Sequence, residues 1–352
     1  MLSLTVPGES LAYLRDKVVC ITGAAGSVGT ALVEQCIRAG VKVVRAFDHG
    51  ESELFYVFER FRNAGPIVPL LGDIRELERL RLAFQGADIV IHAAALKHVE
   101  LGEFNPFEIV NTNLLGLNNV IRASLDCGVG RVIFTSSDKA VNPSSVMGAS
   151  KMMGERLVTA ANEIRGARPT RFASVRFGNV LGSRGSVVPL FAEAALRGEP
   201  LRLTDPNMTR YVMTLAEAAS LVFEAGHLMQ AGEVFVTKMH AIRIADLAEV
   251  IRDEVGGDLR SEIVHTRPRS GEKLYEELLG KDELGRAIET ERMLIIPPQW
   301  EGSVAGYASP KSYPNASAVT RAWCSADDTY LEKDTLARYL RDKQVLAPWR
   351  RR

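Results

Sequence analysis

Residues 17–29, KVVCITGAAGSVG, limit the possible folds of this chain more than any other stretch. A β-branched run stops at Thr22, glycines follow at every third position, and an amphipathic pattern begins at Ser27. A strand that passes straight into a helix through glycines opens a parallel β–α–β unit. The same alternation recurs. Strand-like runs lie at 17–22, 41–47, 67–71, 88–94 and 131–136, with helical patterns between them, for example at 27–39 and 106–126. Right-handed crossovers then place all five strands in one parallel sheet with helices on both faces. Ligands bind such a sheet beyond the carboxyl ends of its strands. No internal repeat or low-complexity segment interrupts the pattern.

The turn TGAAGSVG assigns a distinct task to each glycine. Gly23 permits the tight bend, Gly26 lets a pyrophosphate approach the backbone, and Gly29 lets helix and strand pack closely, with the helix N-terminus facing the phosphates. Glycine triplets also occur for steric reasons alone. Here Asp48 ends the second strand nineteen residues after Gly29, where an acid holds ribose hydroxyls. The expectation is a Rossmann-type dinucleotide site. Asp48 repels a 2′-phosphate, which favours NAD over NADP, and Arg45 is the nearest cation that could offset it.

Forty-three basic residues balance forty-three acidic ones, so bulk charge points to neither nucleic acid nor a membrane surface. The four cysteines are scattered without a CxxC, which fits reduced thiols, and the histidines, His92 and His98 included, show no ligand spacing for a metal. No signal-peptide pattern opens the chain and no apolar run approaches the roughly eighteen residues of a membrane span. A cytoplasmic protein is expected.

The segment SSDKAVNPSSVMGASK (136–151) raises a chemical question. A serine precedes a helix that holds Lys151, and Met147 stands four residues before that lysine, where a proton carrier is normally found. A thioether exchanges no proton usefully at neutral pH. Asp138 and Lys139 read alone are an ordinary exposed ion pair, and Met147 read alone is packing. Their place directly after a strand's carboxyl end favours catalysis.

The glycine spacing, GDI (72–74), HAAALKHVE (92–100), NTN (111–113) and Lys151 resemble the extended short-chain dehydrogenase/reductases. Within them, SSDKAVNPSSVMGASK, RFGNVLGSRGSVVPLF (176–191), TDPNMTRYVMT (204–214) and SGEKLYEELL (270–279) resemble the UDP-N-acetylglucosamine 4,6-dehydratases of surface-glycan synthesis. The similarity runs from about Lys17 to Leu279, roughly three quarters of the chain; the resemblance implies a proton-carrying tyrosine four residues before Lys151, and one branch of that family carries methionine there.

The resemblance implies oxidation at the sugar C4, loss of water across C5 and C6, and return of the hydride to C6. It implies Ser137 at the C4 oxygen, Asp138 as the acid at C6, Lys139 as the base at C5, Met147 shaping the pocket, and Lys151 on the nicotinamide ribose. A basic Lys139 must be neutral, with Lys151 and the oxidised ring expected to depress its pKa, and a protonated Asp138 must be partly buried. Gly23, Ala25, Gly26, Ser27, Val28, Gly29, Asp48, Asp73, Ile74, Ala93, Ala94, Lys97 and Asn113 are implied for the cofactor. Lys97, Asn179, Arg184, Val188, Arg210, Arg267 and Glu272 are implied for the UDP-sugar, with Arg210 and Arg267 near the diphosphate. Relatives commonly read RPGEK where this chain reads RPRSGEK (267–273), leaving open whether Arg267 or Arg269 meets the phosphate; Arg184 could instead cap a loop.

The implied layout is an N-terminal extension (1–16), a dinucleotide domain (17–178, returning near 212–242), and a smaller substrate domain (179–211 and 243–285). An extended tail (286–352) would bring Trp300, Tyr307 and Tyr313 to a neighbouring subunit of a homo-oligomer. Retaining relatives carry Asp–Glu where this chain has Asp138–Lys139, so C5 inversion to an L-arabino 4-keto sugar is expected. The alternatives are a UDP-sugar 4-epimerase, which needs no C5 base and normally keeps the tyrosine, and a silent nucleotide-sugar scaffold, suggested only by Met147.

Overall fold

The computed structural model describes residues 8–256, 261–299, 313 and 315–350. Six parallel strands form the centre of the molecule: β1 (Val18–Thr22), β2 (Val43–Asp48), β3 (Ile67–Leu71), β4 (Ile89–His92), β5 (Arg131–Ser137) and β6 (Arg171–Phe177). Their order across the sheet is β3–β2–β1–β4–β5–β6. Chain direction across the sheet therefore reverses between β1 and β4, and a crevice opens there above the strand ends. In-register pairing brings the ends of β1, β2 and β4 level, with Thr22 opposite both Phe47 and His92. The doubly wound parallel sheet expected from the alternation is present.

β4 reads IVIH and is buried at every position, as befits a strand covered on both faces. His92 is 1% exposed, its Nδ1 lies 2.7 Å from Thr22 Oγ1, and burial with nearby Lys151 pushes its pKa down to about 3. It is a neutral core histidine.

The expected helix at 106–126 is continuous but changes pitch. Pro106–Ile109 and Gly116–Asp126 are α-helical, and Val110–Leu115 between them is a π-helical turn. Asn113 in that turn bonds its amide to both backbone groups of Leu96 (2.9 and 3.0 Å) and to Ser150 Oγ (3.0 Å). The wider turn delivers a buried amide to the loop after β4, a feature invisible to a 3.6-residue period.

Beyond β6 the sheet continues with Val234–Thr237, parallel, and then Met293–Ile296 and Ile288–Glu289, antiparallel. Part of the expected tail is thus sheet. Ile295 pairs with Phe235 inside the molecule rather than against a neighbour, because the four-residue run MLII, buried throughout, is too short to announce a period. Tyr313 is 3% exposed and donates to Glu233 Oε1 at 2.5 Å, whereas Trp300 and Tyr307 lie outside the described residues.

A second apolar cluster forms under the helices Val187–Arg197, Ile244–Val255 and Lys333–Asp342, the last contributing Leu336, Tyr339 and Leu340. Two small sheets frame it, one of Asn179–Val180, Thr209–Met213 and His240–Arg243, the other of Leu201–Leu203 and Ile263–His265. The crevice over the parallel strands faces this cluster's loops.

Candidate active site

The glycine-rich turn forms one wall. Gly23 sits at φ +71°, and a Cβ there would lie 2.6 Å from Ala94 N, so only glycine fits between the ends of β1 and β4. A Cβ on Gly29 would overlap the Gly23 carbonyl. Above Gly26 a Cβ would meet only Gly23 O, at 3.1 Å, which leaves that face of the turn open. Gly26 also begins the helix Ser27–Arg38 without a side-chain cap, so first-turn amides face the opening. This cradle fits a dinucleotide pyrophosphate.

Asp48 accepts Ala25 N–H through Oδ2 (2.9 Å) and Gly50 N–H through Oδ1 (3.0 Å), fixing the turn while lining a cavity of about 420 Å³. Asp73, Ile74, Ala93 and Ala94 line the same cavity. Arg45 does not: its guanidinium bonds the carbonyls of Ala83 and Gln85. The cations that do border it are Arg75 and Arg184; Arg75 lies 2.6 Å from Asp73, and its hydrogen bond holds the Asp73 carboxyl below the ordinary range. No sequence signal marked Arg75.

Arg184 reaches the glycine-rich turn. Its guanidinium bonds Ala25 O, its amide donates to Ser27 Oγ (3.0 Å), and its carbonyl accepts Lys97 Nζ (2.8 Å). It therefore meets the dinucleotide cradle while also lining the larger cavity with Lys139, Met147 and Asn179, and the positive-φ glycines Gly182 and Gly185 flank it in its loop. Burial, reinforced by Arg184, lowers the Lys97 pKa. Val28 and Lys97 line the larger cavity, about 670 Å³. Val188 is fully buried in the second apolar cluster, and Val187 lines the cavity instead, since one residue along a helix turns the side chain away.

The Ser137–Lys151 segment crosses the floor of the larger cavity. Ser137 ends β5, Asp138–Ala140 form a tight turn, and Ser145 caps the next helix (Val146–Ile164) by accepting Gly148 N–H at 3.1 Å. Met147 and Lys151, one turn apart, both line the cavity. Lys151 donates to Thr135 O (2.8 Å) above the Phe134 ring, and burial pushes its pKa down to about 8. Met147 is 3% exposed and has no polar partner role; its Cβ packs toward Gly102.

Lys139 is the hub. Its Nζ lies 3.0 Å from Asp138 Oδ1, from Asn179 Oδ1 and from Glu276 Oε1. Asp138, fully buried, also accepts Ser137 Oγ–H at 3.0 Å, and its Oδ2 has no hydrogen-bond partner among the described residues. Burial, the largest influence on Lys139, lowers its pKa, but the Asp138 and Glu276 carboxylates outweigh it and the net shift is upward. The expectation of a neutral Lys139 depressed by Lys151 is therefore corrected. The sequence could not show Glu276, 137 positions away, as a second anion on the same ammonium.

Toward the second cluster two further cavities open, about 350 and 250 Å³, sharing Asn179, Arg210, Arg269 and Glu272. Arg210 is buried with its Nη atoms on the carbonyls of Thr209, Lys273 and Leu274, so its guanidinium fork is already occupied. Arg267 is exposed and lines neither cavity, whereas Arg269 lines both. Among the described residues, no cluster of metal-ligating side chains occurs and no helix is long and apolar enough to cross a membrane.

Parallel strands in this order, a glycine-rich cradle at the switch point and a lysine on the helix after β5 define an extended short-chain dehydrogenase/reductase. More narrowly, residues 19–298 match the polysaccharide biosynthesis protein family, and the chain belongs to it. It is 38% identical over 285 residues to a UDP-N-acetylglucosamine 4,6-dehydratase (inverting) of Campylobacter jejuni, covering 80% of this chain and 83% of that one. It is equally 38% identical over 289 residues to a UDP-glucose 4-epimerase of Rickettsia massiliae, covering 80% and 83%. Among solved structures, Pen from Bacillus thuringiensis superposes with a TM-score of 0.87 at 38% identity, covering 95% of this chain and 99% of that one.

Proposed function

We propose that this chain is a UDP-N-acetylglucosamine 4,6-dehydratase that inverts C5, using NAD. The observation that carries the reading is Lys139 held between Asp138, Asn179 and Glu276 beneath the cavity that also contains Lys151 and Met147. Chemistry confined to C4 needs one proton carrier near the nicotinamide. Elimination across C5 and C6 needs an acid and a base side by side, and Asp138 and Lys139 supply that pair.

When bound, the nicotinamide supplies the hydride acceptor for C4 and the hydride returned to C6. Asp48 on the ribose side supports NAD, and the glycine-rich turn, Ala93, Ala94, Asn113 and Lys151 would hold it. Lys151, largely buried, places positive charge where an alkoxide develops. Ser137 Oγ meets the C4 oxygen and, through its 3.0 Å bond to Asp138, gives the C4 proton a route that does not require a tyrosine. Asp138 protonates the departing C6 hydroxyl, and Lys139 removes the C5 proton, which is replaced from the opposite face. Asn179, Arg269 and Glu272 bind the UDP-sugar between the two halves of the molecule. The exposed Leu101, Phe104 and Phe107 are a further apolar surface suited to self-association.

The relative named as an epimerase supports a second reading, C4 epimerisation of a UDP-hexose. Incubation with UDP-N-acetylglucosamine in deuterated water separates them: the dehydratase gives a 4-keto-6-deoxy sugar labelled at C5, read by NMR. Recovery of only the C4 epimer, unlabelled, would reject the dehydratase, and binding without turnover would leave a silent scaffold.

A further inference from the structure

Glu276 enters the cavity from a segment remote in sequence from the catalytic turn. Its side chain is 1% exposed, Oε1 is 3.0 Å from Lys139 Nζ, and Oε2 is buried without a hydrogen-bond partner among the described residues. The backbone fixes it: Glu276 N–H donates to Ser325 Oγ at 2.9 Å, and Ser325 N–H donates to Glu276 O at 2.8 Å. The charged groups facing it are Asp138 and Lys139 from the catalytic turn, Arg210 Nε at 3.9 Å from the strand Thr209–Met213, and Lys273 Nζ at 3.9 Å from its own segment.

A buried carboxylate beside a lysine is often a structural ion pair and nothing more. Donor counting points further. An ammonium has three N–H donors and no lone pair. All three of Lys139's are matched, at 3.0 Å each, by Asp138, Asn179 and Glu276. Such a lysine takes no proton from carbon until it has given one of its own to a neighbour. The Asn179 amide is too weak a base, and Asp138 is committed to the C6 hydroxyl. Glu276 is the remaining acceptor. Its environment also accommodates the neutral form. Burial, the largest influence, raises its carboxyl above the ordinary range despite the nearby Lys139. An unpartnered buried Oε2 also costs less on a neutral acid than on a carboxylate.

We propose that Glu276 primes Lys139 by taking one ammonium proton, and hands it back once C5 has been reprotonated. The inference rests on the dehydratase reading and deepens it. In the forward step an N–H bond of Lys139 breaks and an O–H bond forms on Glu276 Oε1. The freed nitrogen lone pair takes the C5 proton, and the C5–H electron pair moves into the C4–C5 bond as the enolate. After the C6 hydroxyl has left with the Asp138 proton and C6 has been reduced, C5 takes a solvent proton on the face opposite Lys139, Lys139 releases the proton it took to solvent, and Glu276 returns its own to Lys139. Protons balance, and the exchange consumes no oxidant or reductant. Glu276 acts through Lys139 and is a positioning residue.

The test compares E276Q and E276D with the wild type in three measurements: calorimetric UDP-sugar affinity, deuterium entry at C5, and the pH profile of that exchange. E276Q keeps the shape and a hydrogen bond to Lys139 but accepts no proton. Its affinity is expected to stay within about threefold while C5 exchange falls by about a hundredfold or more, and E276D is expected to recover at least about tenfold over E276Q. The acid limb of the wild-type profile, where Glu276 becomes protonated, is expected to vanish from the residual E276Q activity. E276Q exchange within about threefold of wild type, a retained acid limb, or affinity lost in proportion to exchange would each overturn the proposal. If E276Q does not fold, E276D decides: its acid limb should move down by roughly the half unit separating aspartate from glutamate, and an unmoved limb overturns the role. A wild-type protein that forms no 4-keto-6-deoxy sugar sinks the dehydratase reading itself; the other failures leave that reading standing.

Discussion

The two halves of the crevice are built in opposite ways. On the cofactor side, the glycine-rich turn, the end of β2 and the loop after β4 meet through backbone contacts fixed by strand register. On the sugar side, Lys139 is gripped by side chains from positions 138, 179 and 276, and the cations come from a strand (Arg210) and from a loop (Arg269). The first half tolerates little at its backbone and asks little of its side chains. The second has an ordinary backbone and a charge arrangement that depends on each partner. A substitution should therefore fail for steric reasons on one side and for protonic reasons on the other.

The largest effect expected is at the hub. Lys139→Ala should cost on the order of a thousand- to ten-thousandfold in product formation and stop deuterium entering C5, while retained nicotinamide changes little; leaving buried Asp138 and Glu276 without their shared cation should also lower thermal stability. A large loss of bound nicotinamide in that variant would break the division between the halves. Gly23→Ala should do the reverse. A φ of +71° and a 2.6 Å approach to Ala94 N predict destabilisation of about 2 kcal/mol or more, read from thermal unfolding, with loss of nicotinamide at purification. An alanine variant that melts and binds like the wild type would show that the cradle yields more easily than its geometry suggests.

Met147→Ala tests whether the methionine belongs to packing or to proton transfer. Only a buried thioether is removed, so a loss of about tenfold in turnover is expected, far less than for Lys139→Ala. Equal damage from the two would mean that the segment divides its work differently. The smallest effects should separate two arginines. Arg269→Ala is expected to weaken UDP-sugar binding by about fivefold, whereas Arg267→Ala, outside the cavities, should change it less than about twofold by calorimetry. The opposite ranking would place the phosphate on the other side of the insertion.

Several features were legible because they are local. Strand and helix alternation, the positions of Gly23, Gly26 and Gly29, and the approach of Met147 to Lys151 along one helical turn all follow from short-range spacing. Arg184 and Val188 show what residue spacing leaves out. A loop with two positive-φ glycines carries the arginine back over Ala25, and a single step along a helix turns the valine into the core while Val187 faces the cavity. Neither direction is encoded in the motif that names the residue.

The sequence by itself determined the parallel sheet, ligand binding beyond the carboxyl ends of its strands, and the turn that can carry a pyrophosphate. Those depend on backbone conformations and periods of a few residues. Only the tertiary structure decided the ionisation of Lys139, because that depends on Glu276, whose distance from it in the chain predicts nothing about their 3.0 Å separation. It also decided that Arg45 is tied to carbonyls while Arg75 borders the cavity beside Asp48, and that Arg210 is bonded to carbonyls while Arg269, 3.9 Å from Glu100, lines both further cavities. Charge–charge interactions act over a few ångströms of space and not over positions along the chain, so folding alone sets which groups meet.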